Sequence, residues 1–312
     1  MALFKDRIRN YFLRQIVPRS AIQITSNYLS GINVSAKEGK IKNHFIFPLE
    51  RGVVEPSFSD KNIKNPALLE KKIKQGLEKL NLSNNKIACL IPELSLKAFV
   101  FSFDSLPSSR EQRERIIRFR VKKQIPLLPD DARFSFDRIS SNSSSKILVA
   151  VARASIIKEY EDLFSKLRLK VRAVGIPTLS LYCLLNRKED RDLLLINIEE
   201  DSLSLLAGLN SEVAMYRLKP FIPGSLADVS EPQRVESIVK EVENTVNFVE
   251  DKEKKKVNAL RIRLGLLETE EEMFRQLQEK LSLPAKGIEV GLNSKLGSRE
   301  KMILSPLIGQ IL

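Results

Sequence analysis

The sequence predicts an α/β fold with mixed sheets, organised as two lobes, and three observations carry that expectation. From residue 146 onward, short apolar runs alternate with helical patterns, the rhythm of layered α/β proteins. Two stretches, Ile22–Val34 (IQITSNYLSGINV) and Leu193–Leu206 (LLLINIEEDSLSLL), each read as an apolar strand, a polar turn and a returning apolar strand. These hairpins make the sheets mixed, and their recurrence fits a duplicated lobe. A chain of 312 residues is also long enough for two cores.

Taken in order, Met1–Val17 places Leu3, Phe4, Ile8, Tyr11, Phe12 and Ile16 at helical spacing, with Lys5, Arg7, Arg9 and Arg14 between them; Pro18 ends the pattern. A basic amphipathic helix of this kind suits an anionic lipid surface or simple docking on the domain. After the first hairpin a strand is expected near Phe45–Leu49. Asn65-Pro66 then supplies an N-cap and a first-turn proline to a helix with Leu69, Ile73, Leu77 and Leu80 on one face. Lys86–Ile91 and Lys97–Phe103 read as strands, the second with Phe99, Phe101 and Phe103 on a single face. Such alternation usually marks core, with a partner groove as the alternative. Ser108-x-x-Glu111 is a capping box opening a helix over Arg110–Gln124, in which seven of fifteen residues are Arg or Lys. Past a Ser-rich turn (Asn142–Ser145) come strand, helix, strand and helix at Lys146–Ala152, Ser155–Leu167, Lys170–Gly175 and Pro177–Leu185. The second hairpin is followed by a pairing strand, Ser211–Leu218, and a long helix, Gln233–Val249, with Ile238, Val242, Thr245 and Val249 on one side. Asp251–Lys256 is a charged turn. Val257–Leu264, Thr269–Leu281, Gly287–Gly291 and Arg299–Leu312 complete the chain as strand, helix, strand and helix.

Composition narrows the function classes. At 43% hydrophobic and 29% charged, the chain is neither disordered nor fibrous. Its net charge of +13 allows an acidic protein, a nucleic acid or an anionic membrane as partner. The basic helix lacks the aromatic stacking platform of a nucleic-acid binder, so a solvated face or an acidic-partner surface is expected instead. Cys89 and Cys183, far apart in apolar stretches, argue against a disulfide scaffold or a zinc site and read as buried thiols of a reducing compartment. His44 is the only histidine and sits among alternating apolar residues, so it reads as structural. No apolar run reaches the ~18–20 residues of a membrane span, and charges interrupt the N-terminus as a secretory signal. A cytoplasmic protein is expected.

Several segments, in order, resemble the PilM family of actin-like type IV pilus assembly proteins. Ile147–Tyr160 (ILVAVARASIIKEY), continuing through Lys170–Leu181 (KVRAVGIPTLSL), is similar to the family's strand and helix "VLLVAA(R/K)-x-x-(I/V)-x-x-Y" and the "P-x-(A/S)" segment after it. Gln124–Asp137 (QIPLLPDDARFSFD) resembles a motif of the family's extra subdomain, and Glu241–Val249 (EVENTVNFV) resembles the helix after its second hairpin. The cytoplasmic domain of the type II secretion protein GspL is a related alternative. The resemblance implies an actin-like (ribonuclease H-like) fold. It divides the chain into an N-terminal helix (1–18), a first lobe (19–59 and 140–187) with an inserted subdomain (60–139), and a second lobe (188–312).

In the actin-like superfamily each hairpin resembles Asp-x-Gly-(Ser/Thr)-x-(Ser/Thr): the acid positions magnesium or the attacking water, and the glycine admits a phosphate. Here Gln23 and Asn197 stand at the acid positions, Thr25 and Glu199 at the glycine positions, and Ser26 and Ser202 follow in the turns. The glycine runs that close around the nucleotide are reduced to Gly224 and Gly265. The expectation is a pseudo-ATPase without ATP or magnesium. Its rival is an active enzyme with ligands shifted to Asp192 or Asp201. By resemblance, the partner is the cytoplasmic tail of a PilN-like single-span membrane protein, with the pilus motor ATPase and an anionic membrane surface as further contacts and no nucleic acid. The tail is expected beside the inserted subdomain, on Phe99, Phe101, Phe103, Arg113 and Arg120. Localisation on the inner face of the inner membrane follows from the same resemblance.

Overall fold

A computed structural model describes residues 18–35, 40–139, 145–185, 189–221, 231–266, 270–290 and 296–311. Two five-stranded sheets share one topology. In the first, β1 (Ser20–Ile24), β2 (Tyr28–Val34) and β3 (Ile41–Pro48) form an antiparallel meander. The strands β4 (Lys86–Leu90) and β8 (Lys170–Gly175) extend it in parallel, giving the order β3-β2-β1-β4-β8. In the second, β9 (Leu193–Ile198), β10 (Ser202–Leu209) and β11 (Glu212–Pro220) form the meander. There β12 (Ala259–Leu264) and β13 (Ala285–Gly287) add the parallel pair, in the order β11-β10-β9-β12-β13. The repeated hairpin read from the sequence is the start of a repeated mixed sheet.

The central strands are buried on both faces, so they read as unbroken apolar runs. Around the first sheet, Ile22 and Ile24 meet the buried faces of α1 (Pro66–Leu80) and α3 (Ala154–Lys166), through Leu69, Ile73, Ile156, Leu163 and Phe164. Asn65 caps α1 by accepting from Leu68 N at 3.1 Å, and Asn81 ends it with a left-handed φ of 47°. The opposite face of this sheet, with Ala21, Ile32, Ala88 and Leu90, is covered by Leu304, Leu307 and Ile308 of α7 (Ser298–Ile311). The last helix therefore packs on the first lobe, although 188–312 was expected to form the second. Gly309 permits this, because a Cβ there would collide with the Ser180 carbonyl of α4 (Pro177–Tyr182). His44 on β3 meets Glu300 of α7 at 3.1 Å, a structural role as expected. Around the second sheet, α5 (Glu231–Glu253) buries Ile238, Val242, Thr245 and Val249, and α6 (Glu270–Lys280) buries Met273 and Leu277.

A third sheet, β5 (Leu96–Phe103), β7 (Ser145–Arg153) and β6 (Ala132–Arg138) in the order β5-β7-β6, carries α2 (Arg110–Gln124) on one face through Ile117 and Val121. This is the inserted subdomain, and it is displaced from the expected 60–139. Helix α1 and strand β4 belong to the first sheet, whereas β7 is the central strand of the insert. The helix pattern and the Ser-rich turn look alike on either side of such a border; only strand pairing places it. Three smaller differences are of the same local kind. The hydroxyl that caps α2 is that of Ser109, which accepts from Gln112 N at 3.5 Å, so the capping serine is one residue later than Ser108. The final strand lies at Ala285–Gly287 and not at Gly287–Gly291, and α5 runs on into the expected charged turn. Cys89 is buried, while Cys183 is exposed in the turn ending α4. Met1–Val17 and Gly224 lie outside the described residues. Among the described residues, no helix is long and apolar enough to cross a membrane.

Candidate functional site

The two hairpins meet at the junction of the lobes, and the space between them is filled by the protein's own polar side chains. Arg263, on β12, has a side chain that is 0% exposed. Leu260, Ile262 and Leu264 share one face of that strand and pack into the second core, which leaves Arg263 on the other face, towards the first lobe. Its five guanidinium donors all have acceptors. Nη1 donates to Asn197 Oδ1 at 3.0 Å and to the Glu199 carboxylate; Nη2 donates to Tyr28 Oη at 2.6 Å and to Ile303 O at 3.2 Å; Nε donates to Met302 O at 3.2 Å. The first hairpin joins from the other side, Gln23 Nε2 donating to Glu199 Oε1 at 3.3 Å and to Tyr28 Oη at 3.0 Å.

The network continues past Asn197. Its Nδ2 donates to Thr178 Oγ1 at 3.0 Å and to Glu93 Oε1 at 3.4 Å. Glu93, in the turn between β4 and β5, also accepts from Thr178 N at 2.6 Å and from Tyr216 Oη at 2.6 Å. Gln23, Tyr28, Glu93 and Thr178 come from the first lobe; Asn197, Glu199, Tyr216 and Arg263 come from the second. All eight are buried, and hydrogen bonds connect them into one cluster.

Burial sets the electrostatics. It pushes the Glu199 carboxyl up to about 7, with Arg263 holding it below where burial alone would take it. Glu93 is likewise raised by burial, against the pull of Thr178 and Tyr216. The Tyr28 hydroxyl is raised by burial too, so it stays protonated as a donor and acceptor. Burial works against the charge on Arg263, and Glu199 and Tyr28 outweigh it, so the guanidinium stays ionised.

The turns themselves are closed. Thr25 Oγ1 accepts from Tyr28 N at 2.9 Å and from Asn27 N at 3.3 Å, so these two backbone N–H groups of the turn already have a partner. In the second turn, Arg234 Nη2 caps the carbonyls of Glu199 and Glu200 at 2.9 and 3.3 Å. Ser202 donates to Asp201 Oδ1 at 2.9 Å, and burial raises the Asp201 carboxyl against the pull of Ser202 and Ser26. Gly265 has a different role here from the one the resemblance implies. A Cβ there would collide with the Arg263 guanidinium and the Glu199 carboxylate, so it makes room for the ion pair.

The structure thus brings together Gln23, Thr25, Asn197, Glu199 and Gly265, with Ser26 and Ser202 in the adjoining turns. Asp192 lies at the far end of β9, accepting from Asn210 N at 2.7 Å, away from the turns where a shifted ligand would have to act. Among the described residues there is no group of acids, cysteines and histidine arranged to hold a metal. Sequence reasoning missed Tyr28, Glu93, Thr178, Tyr216 and Arg263. One signal was present: Arg261 and Arg263 fall on the same face of a strand otherwise buried by leucine and isoleucine, and an arginine there needs an internal counter-ion.

The expected partner residues lie elsewhere. Phe103 is buried, and Phe99 and Phe101 are half-buried and stacked at 5.6 Å between ring centroids, on the sheet face that α2 covers. Arg120 reaches that sheet, donating to Ser102 O at 3.2 Å, and Arg113 donates to Pro107 O at 3.4 Å in the loop before α2.

No protein-family model matches this sequence, and no curated protein matches it. Solved structures do match. A chain of the PilM-PilN type IV pilus biogenesis complex superposes with a TM-score of 0.75 at 14% identity, covering 95% of this protein and 97% of that chain. A Bacteroides thetaiotaomicron protein of unknown function, described as having an actin-like ATPase fold, superposes with a TM-score of 0.50 at 9% identity, covering 95% and 97%. The fold is therefore actin-like, and over nearly its full length it is similar to a chain of the PilM-PilN complex.

Proposed function

We propose that this protein is a non-hydrolysing actin-like scaffold of a type IV pilus or related secretion platform. It works at the inner face of the inner membrane and holds the cytoplasmic tail of a PilN-like membrane protein. The observation that carries the non-enzymatic part is the Arg263–Glu199 pair between the hairpins. A nucleotide's phosphates would have to displace a fully hydrogen-bonded ion pair, Gln23 and Asn197 offer magnesium no carboxylate, and the acid of the second turn, Asp201, is buried and bonded by Ser202. Phosphoryl transfer depends on positioning and charge stabilisation, and both are missing from these positions. The full-length likeness to a chain of the PilM-PilN complex supports the pilus assignment.

The tail would lie as an extended peptide along the insert, where half-buried Phe99, Phe101, Phe134 and Phe136 border the α2-covered face and offer apolar pockets. Relay to a motor ATPase belongs to the same reading. Two measurements test it. A pull-down with the tail of a neighbouring single-span protein should capture the wild type and lose a Phe99→Ser, Phe101→Ser variant; a folded wild type that captures no such tail contradicts the scaffold. Phosphate release from magnesium-ATP should stay at the level of a Gln23→Ala, Asn197→Ala variant, and turnover above it contradicts the pseudo-ATPase.

A further inference from the structure

Four large apolar side chains among the described residues are exposed, and three of them, Ile116, Phe119 and Leu127, lie on α2 or just past its end, at 37%, 60% and 92% exposure. Ile116 and Phe119 are three residues apart and so share a face, opposite the one on which Ile117 and Val121 are buried. A core explanation is therefore excluded for them. Cations flank this apolar stripe: Arg115, Lys122 and Lys123 are exposed beside it, and Lys123 Nζ sits 4.6 Å from the Phe119 ring centre. The two acids of the helix, Glu111 and Glu114, are occupied by their own i,i+4 arginines, Arg115 and Arg118.

We infer that the outward face of α2 is a membrane-docking surface: Phe119, Ile116 and Leu127 enter the interface of an anionic bilayer while the flanking Arg and Lys bind lipid phosphates. The relief of the surface selects lipid over an acidic protein. Phe119 protrudes from a convex helix and Leu127 from the turn that follows it, and a protein partner would need a groove shaped to receive them. A bilayer interface accepts protruding apolar groups without a preformed groove. The cations are long side chains able to keep their stems with the apolar groups and their heads at the phosphate level. The inference does not depend on the pilus reading, because it uses only this helix.

The chain contains no tryptophan, so Phe119→Trp provides a single fluorophore at the point of insertion. With phosphatidylcholine vesicles containing phosphatidylglycerol, its emission should shift to the blue, and pure phosphatidylcholine should produce little change. Full-length protein should co-sediment with the same anionic vesicles, less so at high salt. Lys122→Glu with Lys123→Glu should weaken that binding at least tenfold, and so should Phe119→Asp with Leu127→Asp. Lys71→Glu with Lys74→Glu, on α1, serves as a control of equal charge change and should cost far less. Three results overturn the inference: no sedimentation of the wild type; a vesicle-bound Phe119→Trp protein without a blue shift; or α2 variants that fold and bind like wild type, which would place the contact on another surface such as Met1–Val17.

Discussion

Arg263 and Arg115 carry the same guanidinium and behave in opposite ways. Arg263 is sealed between two lobes with five acceptors around it, whereas Arg115 on α2 makes one ion pair to Glu111 with both side chains about three-quarters exposed (76% and 75%). The difference is solvent. A buried guanidinium has exchanged its water for protein acceptors, so each partner becomes indispensable to the others. An exposed one is already solvated, so its partners add little and its charge remains available to something outside. The positive balance of the composition thus combines two unlike populations, one internal and structural, one external and free to meet a partner.

The largest effect that would break this comparison is at the buried pair. Arg263→Met should cost about 3–5 kcal/mol in chemical denaturation, because Glu199 is left ionisable without its counter-charge. Arg263→Met combined with Glu199→Leu should recover most of that loss. A single-variant cost near that of a surface change would mean that the pair is not holding the lobes.

The next effect is in the pH dependence. Glu199 titrates at about 7 in the fold against an ordinary value of 4.5. The unfolded chain therefore releases this proton first, and stability falls as pH rises from 4.5 to about 7, by roughly 3 kcal/mol for this group. The buried Glu93 and Asp201 act in the same direction. Glu199→Gln should flatten the slope by up to about 1.4 kcal/mol per pH unit in that window; an unchanged slope would place the titration elsewhere.

Smaller again is Tyr216→Phe, which removes one donor from Glu93 and should cost about 1–2 kcal/mol. At the other end, Arg115→Ala should stay within about 0.5 kcal/mol of wild type, in keeping with an exposed i,i+4 pair.

The contrast also explains how much was legible in the sequence. Strand and helix order, the twin hairpins and the α1 cap are set by local apolar spacing and turn chemistry, so they could be read directly. The correspondence of Gln23 with Asn197 and of Thr25 with Glu199 held in three dimensions, since both pairs occupy matching places in matching hairpins. What could not be read depends on distant pairing. The insert's borders, the return of α7 to the first sheet and the joining of Tyr28, Glu93 and Tyr216 to Arg263 are made by residues up to 235 positions apart. Arg120 is a case of the same kind: helical spacing gives its place on α2, and only the position of β5 brings the Ser102 carbonyl within its reach.

The central claim, that the hairpin cleft is closed by the protein's own ion pair, is tested most directly by thermal unfolding in magnesium-ATP. A nucleotide site occupied at a hundred times its Kd would stabilise the fold by about 2.7 kcal/mol and raise the midpoint measurably. The account predicts no nucleotide-dependent rise in midpoint. A saturable rise that requires magnesium and is lost in a Gln23→Ala, Asn197→Ala variant would contradict it.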